Sequence, residues 1–176
     1  MTSGPHTHTM PPPAPAPAQH TPLRLRLKPK APATGYVDGA WWPRSRDLTV
    51  ELPALAEVLA VRLSRIERVA YALSAWDPAP RRVDVDGNRV RLEGFTYQDQ
   101  HIIHVTGSNN SRISLLVIPP EMTDPAGHDA LMTAGHRGNT DRPEQILAAA
   151  SLPTPRATTD DTEGRWEGEG GQGQPT

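Results

Sequence analysis

The sequence predicts an α+β fold: a single domain with a mostly antiparallel, twisted sheet of about six or seven strands, one main helix between strands and two C-terminal helices. Three observations lead to this class. Strand-like segments follow one another without a helix after each, a leucine-rich helical segment separates the first strands from the later ones, and two helix-start signals follow the last strand. Alternating βαβ units of a parallel sheet would need a helix after nearly every strand.

Composition divides the chain into a central domain and two tails. Residues 1–20 consist largely of Pro, Ala, Thr and His without apolar periodicity, and residues 151–176 are rich in Gly, Thr and acidic residues. Neither segment has enough apolar surface to offset the entropy of ordering. We therefore predict a disordered leader at 1–20, a globular α+β domain at 21–150 and a disordered acidic tail at 151–176.

The first two strands are predicted from alternation and from the residues that end them. Leucines at alternate positions from Leu23 to Leu27 are separated by basic residues, which is the pattern of a strand with one buried face. Pro29 ends this strand. A second strand is predicted at 36–42, where Gly39 indicates a bulge or a close backbone approach, and Pro43 ends it.

The main helix is predicted from leucine spacing and from a proline. Asp47 is suited to cap a short turn, and Pro53 is suited to the first position of the helix itself. Apolar residues then recur at spacings of three and four, at Leu52, Leu55, Leu59 and Leu63. The segment is predicted to be an amphipathic helix.

The later strands begin after this helix. Residues 66–74 are predicted as a strand with Val69, Tyr71 and Leu73 on one face, followed by an irregular segment at 76–80. Asp86-Gly87-Asn88 then indicates a tight antiparallel hairpin between 83–85 and 89–92, because Gly and Asn tolerate positive φ.

Three more strands and two helices complete the domain. The strands are predicted at 94–97, 100–106 and 112–118, the last of them apolar enough to be central. One helix is predicted from a cap at Asp124 to about Arg137, and a second begins before Pro143.

Composition excludes several classes of site. The chain has no cysteine, so disulfides, thiolate metal sites and cysteine nucleophiles are excluded. We predict a soluble cytoplasmic protein, since no stretch approaches the length of a membrane span. His101 and His104 would face opposite ways on a strand, and His128 and His136 are two helical turns apart, so no metal is predicted. No nucleophile elbow or phosphate-binding motif is present, and no cofactor is predicted.

The candidate site is the segment around the two adjacent tryptophans. It contains Asp38, Trp41, Trp42, Arg44 and Arg46, and residues 21–46 carry six basic side chains against one acid. On a strand, adjacent rings point to opposite faces, so we expect at most one of them in the helix-covered core. The other ring could stack on a flat ligand, and the two arginines could hold a carboxylate or phosphate.

Several alternatives stay open for this segment. In one alternative both tryptophan rings serve only to pack the fold, and Asp38 forms an ion pair with Arg44 or Arg46. The leading hypothesis is a small binding or accessory domain for an unknown small molecule or protein, and an enzyme using Asp38, Arg44 and Arg46 around a pocket is the first alternative. Weak nucleic-acid binding through Lys28, Lys30 and the two arginines is the second. It is disfavoured because residues 21–150 hold 16 basic and 15 acidic residues.

The run from Val37 to Asp47, VDGAWWPRSRD, together with 51–55 and 115–120, resembles a family of uncharacterised domains known from high-GC bacteria. The resemblance covers roughly residues 23–150. It implies a single domain, and it implies no activity, cofactor or catalytic residue. Neither the ligand nor the oligomeric state follows from it.

Overall fold

The computed structural model describes residues 22–30 and 34–152 of the chain, so the predicted leader and the predicted tail beyond residue 152 lie outside the described residues. The described elements confirm the α+β class. In chain order they are β1 (Leu25–Leu27), β2 (Gly39–Trp41), α1 (Leu48–Leu63), β3 (Ile66–Ala72), β4 (Arg82–Val85), β5 (Asn88–Phe95), β6 (Ile102–Gly107), β7 (Arg112–Val117), α2 (Asp124–Ala134) and α3 (Pro143–Ser151).

The seven strands form one sheet in the order β1-β2-β7-β6-β3-β5-β4. Four of the neighbouring pairs are antiparallel, and the pairs β2·β7 and β3·β5 are parallel. The prediction of a mostly antiparallel sheet is therefore confirmed. The two parallel pairs arise where a later strand is added beside an earlier one, which local sequence patterns do not reveal.

Helices cover both faces of the sheet at one end and a single face at the other. The buried leucines of α1 pack with Leu115 in one core cluster, whereas Leu116 packs with α2 and α3 in another. Because Leu115 and Leu116 are adjacent on a strand, the two clusters lie on opposite faces. The pair α2 and α3 covers its face only at the β1–β2 end, so the rest of this face, which carries Arg68 and Arg91, is open to solvent, and we call it the open face.

Two helix boundaries differ from the prediction. The main helix begins directly after Asp47, whose Oδ1 accepts hydrogen bonds from the backbone N and hydroxyl of Thr49 at 2.9 and 2.6 Å. The prediction that Pro53 is its first residue was wrong, since Pro53 lies inside the helix, where it leaves one backbone bond unmade. The helix predicted to reach Arg137 ends at Ala134.

The strand predictions were confirmed except at two places. The segments 89–92 and 94–97, predicted as two strands, form the single strand β5, which passes through Gly94 without a break and ends at Phe95. Val69 and Tyr71 are buried in the main core, but Leu73 lies beyond the end of β3 and is half exposed. The hairpin is confirmed, with φ of 48° at Asp86 and 76° at Gly87, as a tight turn of this type requires. Among the described residues, no helix has the length and apolar character needed to cross a membrane.

Candidate functional site

The two adjacent tryptophans are both buried. Trp41 is 0 % exposed and stacks on Trp76 with ring centroids 5.3 Å apart, while Trp42 is 5 % exposed and its indole N–H donates to the Pro119 carbonyl at 3.1 Å. The rings do point to opposite faces, as alternation requires. The expectation that only one of them lies in a helix-covered core was wrong, because α2 and α3 cover the second face.

Stacking on Trp42 is already taken by Arg24, the residue that precedes β1. The guanidinium carbon of Arg24 lies 3.6 Å from the ring centroid. The same guanidinium donates to the carbonyls of Trp42 and Pro43 at 3.2 and 2.9 Å. This arrangement combines a cation–π contact with two hydrogen bonds, and it ties β1 to the end of β2.

The three charged residues of the predicted site point to different partners. Asp38 Oδ2 accepts from the backbone N of Ser114 at 2.8 Å, and Arg44 donates to the Pro22 carbonyl at 3.1 Å. Arg46 forms an ion pair with Glu121 at 2.8 Å, and this hydrogen bond raises the pKa of Arg46. The structure thus brings Asp38, Arg44 and Arg46 to no common point, and neither arginine pairs with Asp38 as the structural alternative supposed.

The open face gathers arginines that are far apart in the sequence. Cross-strand neighbours place Arg82 beside Arg91, Arg91 beside Arg68, Arg68 beside Thr106 and Thr106 beside Arg112. Residues directly opposite one another in a sheet share a face. These five residues form a line perpendicular to the strands, and we call its four arginines the arginine row.

A cleft of about 680 Å³ lies beside this row, and we call it the sheet cleft. Its lining includes Arg68, Ala70 and Arg112 from the strands, Phe95 from the end of β5, and residues 96–98 from the loop that links β5 to β6. The Gln98 side chain holds the loop in place by donating to the carbonyls of Ala70 and Ile102 at 3.2 and 2.9 Å. The small side chain of Ala70 leaves room between the loop and the sheet.

The sheet cleft has two exposed aromatic side chains at its edge and a mixed charge. Phe95 is 47 % exposed and Tyr97 is 99 % exposed. Glu93 lies 3.5 Å from Arg68 and 3.8 Å from Arg91, and both arginines are about half exposed. Pairs of this length and exposure contribute little to stability, so an anionic ligand can compete with Glu93 for the guanidinium groups.

His104, which lines the sheet cleft, forms a polar pair with Ser114 on the neighbouring strand. The imidazole Nδ1 and the Ser114 hydroxyl are 2.8 Å apart. Burial lowers the pKa of His104 below its ordinary value of 6.5, and Arg112 lowers it further while Asp38 acts in the opposite direction. The imidazole is therefore neutral near pH 7, and it offers a hydrogen bond rather than a charge.

From the sequence, His104 was considered only as a metal ligand, and neither its pairing with Ser114 nor the arginine row was predicted, although one signal for the pairing was present. His104 and Ser114 lie equally far before and after Asn109, so a hairpin centred on the predicted loop places them opposite each other. The arginine row had a weaker signal in the alternation of Arg89, Arg91 and Glu93 with apolar residues. The order of the strands, which joins Arg91 to Arg68, was not accessible from local patterns.

The histidines of the described residues are not arranged as a metal site. Over residues 22–30 and 34–152, no three His, Asp or Glu side chains converge on a point where they could hold a metal ion. His101 lies in the turn before β6, His104 lies within β6, and His128 lies in α2. The sheet cleft is therefore described by its arginines, its aromatic rings and the His104–Ser114 pair.

Comparison with known proteins gives one match. The model of a family of unknown function (DUF5994) matches residues 24–134, which extends from β1 through α2 and includes both the tryptophans and the sheet cleft. The predicted membership of an uncharacterised domain family is thereby confirmed. No curated protein and no solved structure matches the chain.

Proposed function

We propose that this chain, which belongs to the family of unknown function DUF5994, is a binding domain for a small anionic ligand with a planar ring. The site is the sheet cleft. One observation carries the proposal: two exposed aromatic side chains, Phe95 and Tyr97, border the same cleft as Arg68 and Arg112. No reaction is assigned to the site.

The size and chemistry of the sheet cleft suit such a ligand. A volume of about 680 Å³ falls within the range of small-molecule sites, roughly 300–1,000 Å³. Guanidinium groups bind carboxylates and phosphates with paired hydrogen bonds, and an aromatic ring offers a stacking surface to a flat ligand. Tyr97 is fully exposed, so its ring contributes little to the core and is free for contact.

The same geometry supports the sheet cleft over the tryptophan segment as the binding site. A ligand on Trp41 or Trp42 would have to displace Trp76 or Arg24 from rings that are already packed. Arg44 in the tryptophan segment is exposed and available to a partner. Comparing the effect of its substitution on ligand binding with that of a sheet-cleft arginine distinguishes the two locations.

An enzymatic role receives less support. Asp38, Arg44 and Arg46 bind different partners, and Ser114 with His104 is the hydroxyl–imidazole pair at the sheet cleft. The backbone N–H of Ser114 donates to Asp38, so it is not free to stabilise an oxyanion. Catalysis is therefore outside the proposal.

Two further expectations accompany the proposal. We place the domain in the cytoplasm on the basis of its cysteine-free sequence, and we expect family members to come from high-GC bacteria and to share the VDGAWWPRSRD run. An alignment of the family would test the second expectation directly.

The test is a titration of ¹⁵N-labelled protein with adenosine 5′-monophosphate, which combines a planar ring with a phosphate. We expect amide shifts at Arg68, Phe95, Tyr97 and Arg112, and about tenfold weaker binding for Arg68→Ala or Arg112→Ala. Arg44→Ala is the matched control, since it removes an exposed arginine outside the cleft. Shifts confined to the tryptophan segment, or no shifts at all, would contradict the proposal.

A further inference from the structure

We infer that the ligand of the open face is single-stranded nucleic acid, which crosses the strands along the arginine row and stacks its bases on Phe95 and Tyr97. This inference rests on the proposed function, because it specifies the ligand class of the same site. The sequence alone disfavoured nucleic acid, since the net charge of the domain is near zero. The fold nevertheless brings four arginines together on the open face.

The arginine row is longer than one nucleotide. It extends from Arg82 on β4 to Arg112 on β7, across β5, β3 and β6. Four steps between neighbouring strands at about 4.8 Å each give a span of about 19 Å. A row of guanidinium groups over this distance matches a chain of phosphates better than it matches a single one.

Positive charge continues beyond the row at β7. Arg112 also lines a second groove of about 170 Å³, which we call the basic groove. Its other lining residues include Lys30, Arg62 and Arg137, with Asp38 as the acid among them. One strand of nucleic acid could therefore pass from the sheet cleft into the basic groove without leaving the positive surface.

A single strand that follows the arginine row would place its bases beside Phe95 and Tyr97. Phe95 and Tyr97 border the sheet cleft directly beside Arg68 and Arg112. Stacking on aromatic side chains of an open sheet face is a general way to bind unpaired bases. Bases within a duplex are stacked on one another and do not present their flat faces to such side chains.

Double-stranded DNA fits the molecule less well. Reading a duplex usually requires a basic helix or ribbon that enters a groove. Among the described helices, α1 carries Arg62 as its single basic residue and α2 and α3 carry no Lys or Arg. The acids Glu93, Glu67 and Asp84 also lower the charge of the open face, so binding should be measured at low salt.

The experiment compares oligouridylates of about three and about ten nucleotides by fluorescence anisotropy with the full-length protein. We expect the longer probe to bind at least about tenfold more tightly, with a logarithmic salt slope near −3 for four phosphate contacts. Tyr97→Ala should weaken binding about tenfold, since one stacked base is lost.

The variant Arg82→Ala distinguishes binding of single-stranded nucleic acid from binding of a small anionic ligand. Arg82 belongs to the row but not to the lining of the sheet cleft. We expect this variant to bind the longer oligouridylate more weakly and to reduce the magnitude of its logarithmic salt slope by about 0.7. Binding of adenosine 5′-monophosphate should stay unchanged. Arg44→Ala, on a different surface, should change neither.

Three outcomes would overturn the inference. If the longer probe binds no more tightly than the shorter one while adenosine 5′-monophosphate still depends on Arg68, the site takes a small ligand and the proposed function stands alone. If heparin competes as well as RNA of equal charge and Tyr97→Ala has no effect, the surface is a general polyanion site. If neither nucleotide nor oligonucleotide binds, both proposals fail.

Discussion

Gly127 in α2 lies against the six-membered ring of Trp42 so closely that a methyl group at this position would be 2.5 to 2.6 Å from three ring carbons. The contact joins the helix to the buried indole of the residue that follows β2. It explains why a residue of low helix propensity lies in the interior of α2.

Gly127→Ala is therefore expected to destabilise the protein. In an open helix position the same change stabilises by up to about 1 kcal/mol, because alanine is the better helix former. Here the added methyl must displace the Trp42 ring, and overpacking of this kind costs about 1–3 kcal/mol. Urea unfolding of both proteins measures the difference.

A double-mutant cycle provides the control. In a Trp42→Leu background the ring is absent, so Gly127→Ala should be neutral or stabilising, and the two substitutions should not be additive. An increase in stability on Gly127→Ala in the natural protein would show that α2 does not press on the ring.

Because Trp76 stacks on the buried Trp41, we expect truncation of Trp76 to cause a large loss of stability. Trp76→Ala should cost about 3–5 kcal/mol in urea unfolding, because it leaves a cavity beside a fully buried ring. Trp41→Phe should cost less, since the Trp41 indole N–H has no acceptor among the described residues and its loss removes an unsatisfied donor.

Tyr97→Ala is the matched control for the stack, since it removes an aromatic side chain that is 99 % exposed. We expect its stability to change by less than about 0.5 kcal/mol. The same measurement establishes that weaker RNA binding by this variant does not reflect unfolding. An equal loss for Trp76→Ala and Tyr97→Ala would contradict the assignment of Trp76 to the core.

His104 predicts a dependence of stability on pH. Its pKa is lowered in the folded protein, mainly by burial, so below the ordinary value of 6.5 the unfolded chain binds a proton that the folded protein does not. Stability from this group is complete above pH 6.5 and falls as the pH decreases through 6.5 toward the lower, folded pKa.

The measurement compares the natural protein with His104→Asn in urea unfolding at about pH 7.5 and about pH 5.5. The chain has seven histidines, so the informative quantity is the difference between the two proteins. We expect the natural protein to lose more stability on acidification than the variant does. A larger loss in the variant would mean that the folded protein raises the pKa of His104.

The elements with strong local signals were predictable. The leucine spacing in α1 and the turn at Asp86-Gly87-Asn88 were correct because each depends on interactions within a few residues. Pro53 was misplaced because its effect on a helix is small near the N-terminus, where Asp47 caps the chain instead. A proline is tolerated at several positions in the first turns of a helix, whereas the cap hydrogen bond of Asp47 marks the residue at which the helix begins.

The candidate site was less predictable, since its residues meet only through strand order. Alternation correctly placed Trp41 and Trp42 on opposite faces, but whether a face is covered depends on α2 and α3, more than eighty residues later in the chain. A run rich in Trp and Arg is equally suited to a ligand site and to a packed corner. The partners Trp76 and Arg24 decide how its rings are used.

The sequence by itself determined the α+β class, the main helix, the hairpin and the absence of cysteine chemistry, because these follow from composition and short-range periodicity. Only the tertiary structure decided which faces are covered and which charges are neighbours. Strand order places Arg91 beside Arg68 and Thr106 beside Arg112 through hydrogen bonds between distant segments. A near-neutral sequence thus acquires a face on which four arginines lie in one row, because strand pairing brings distant segments side by side.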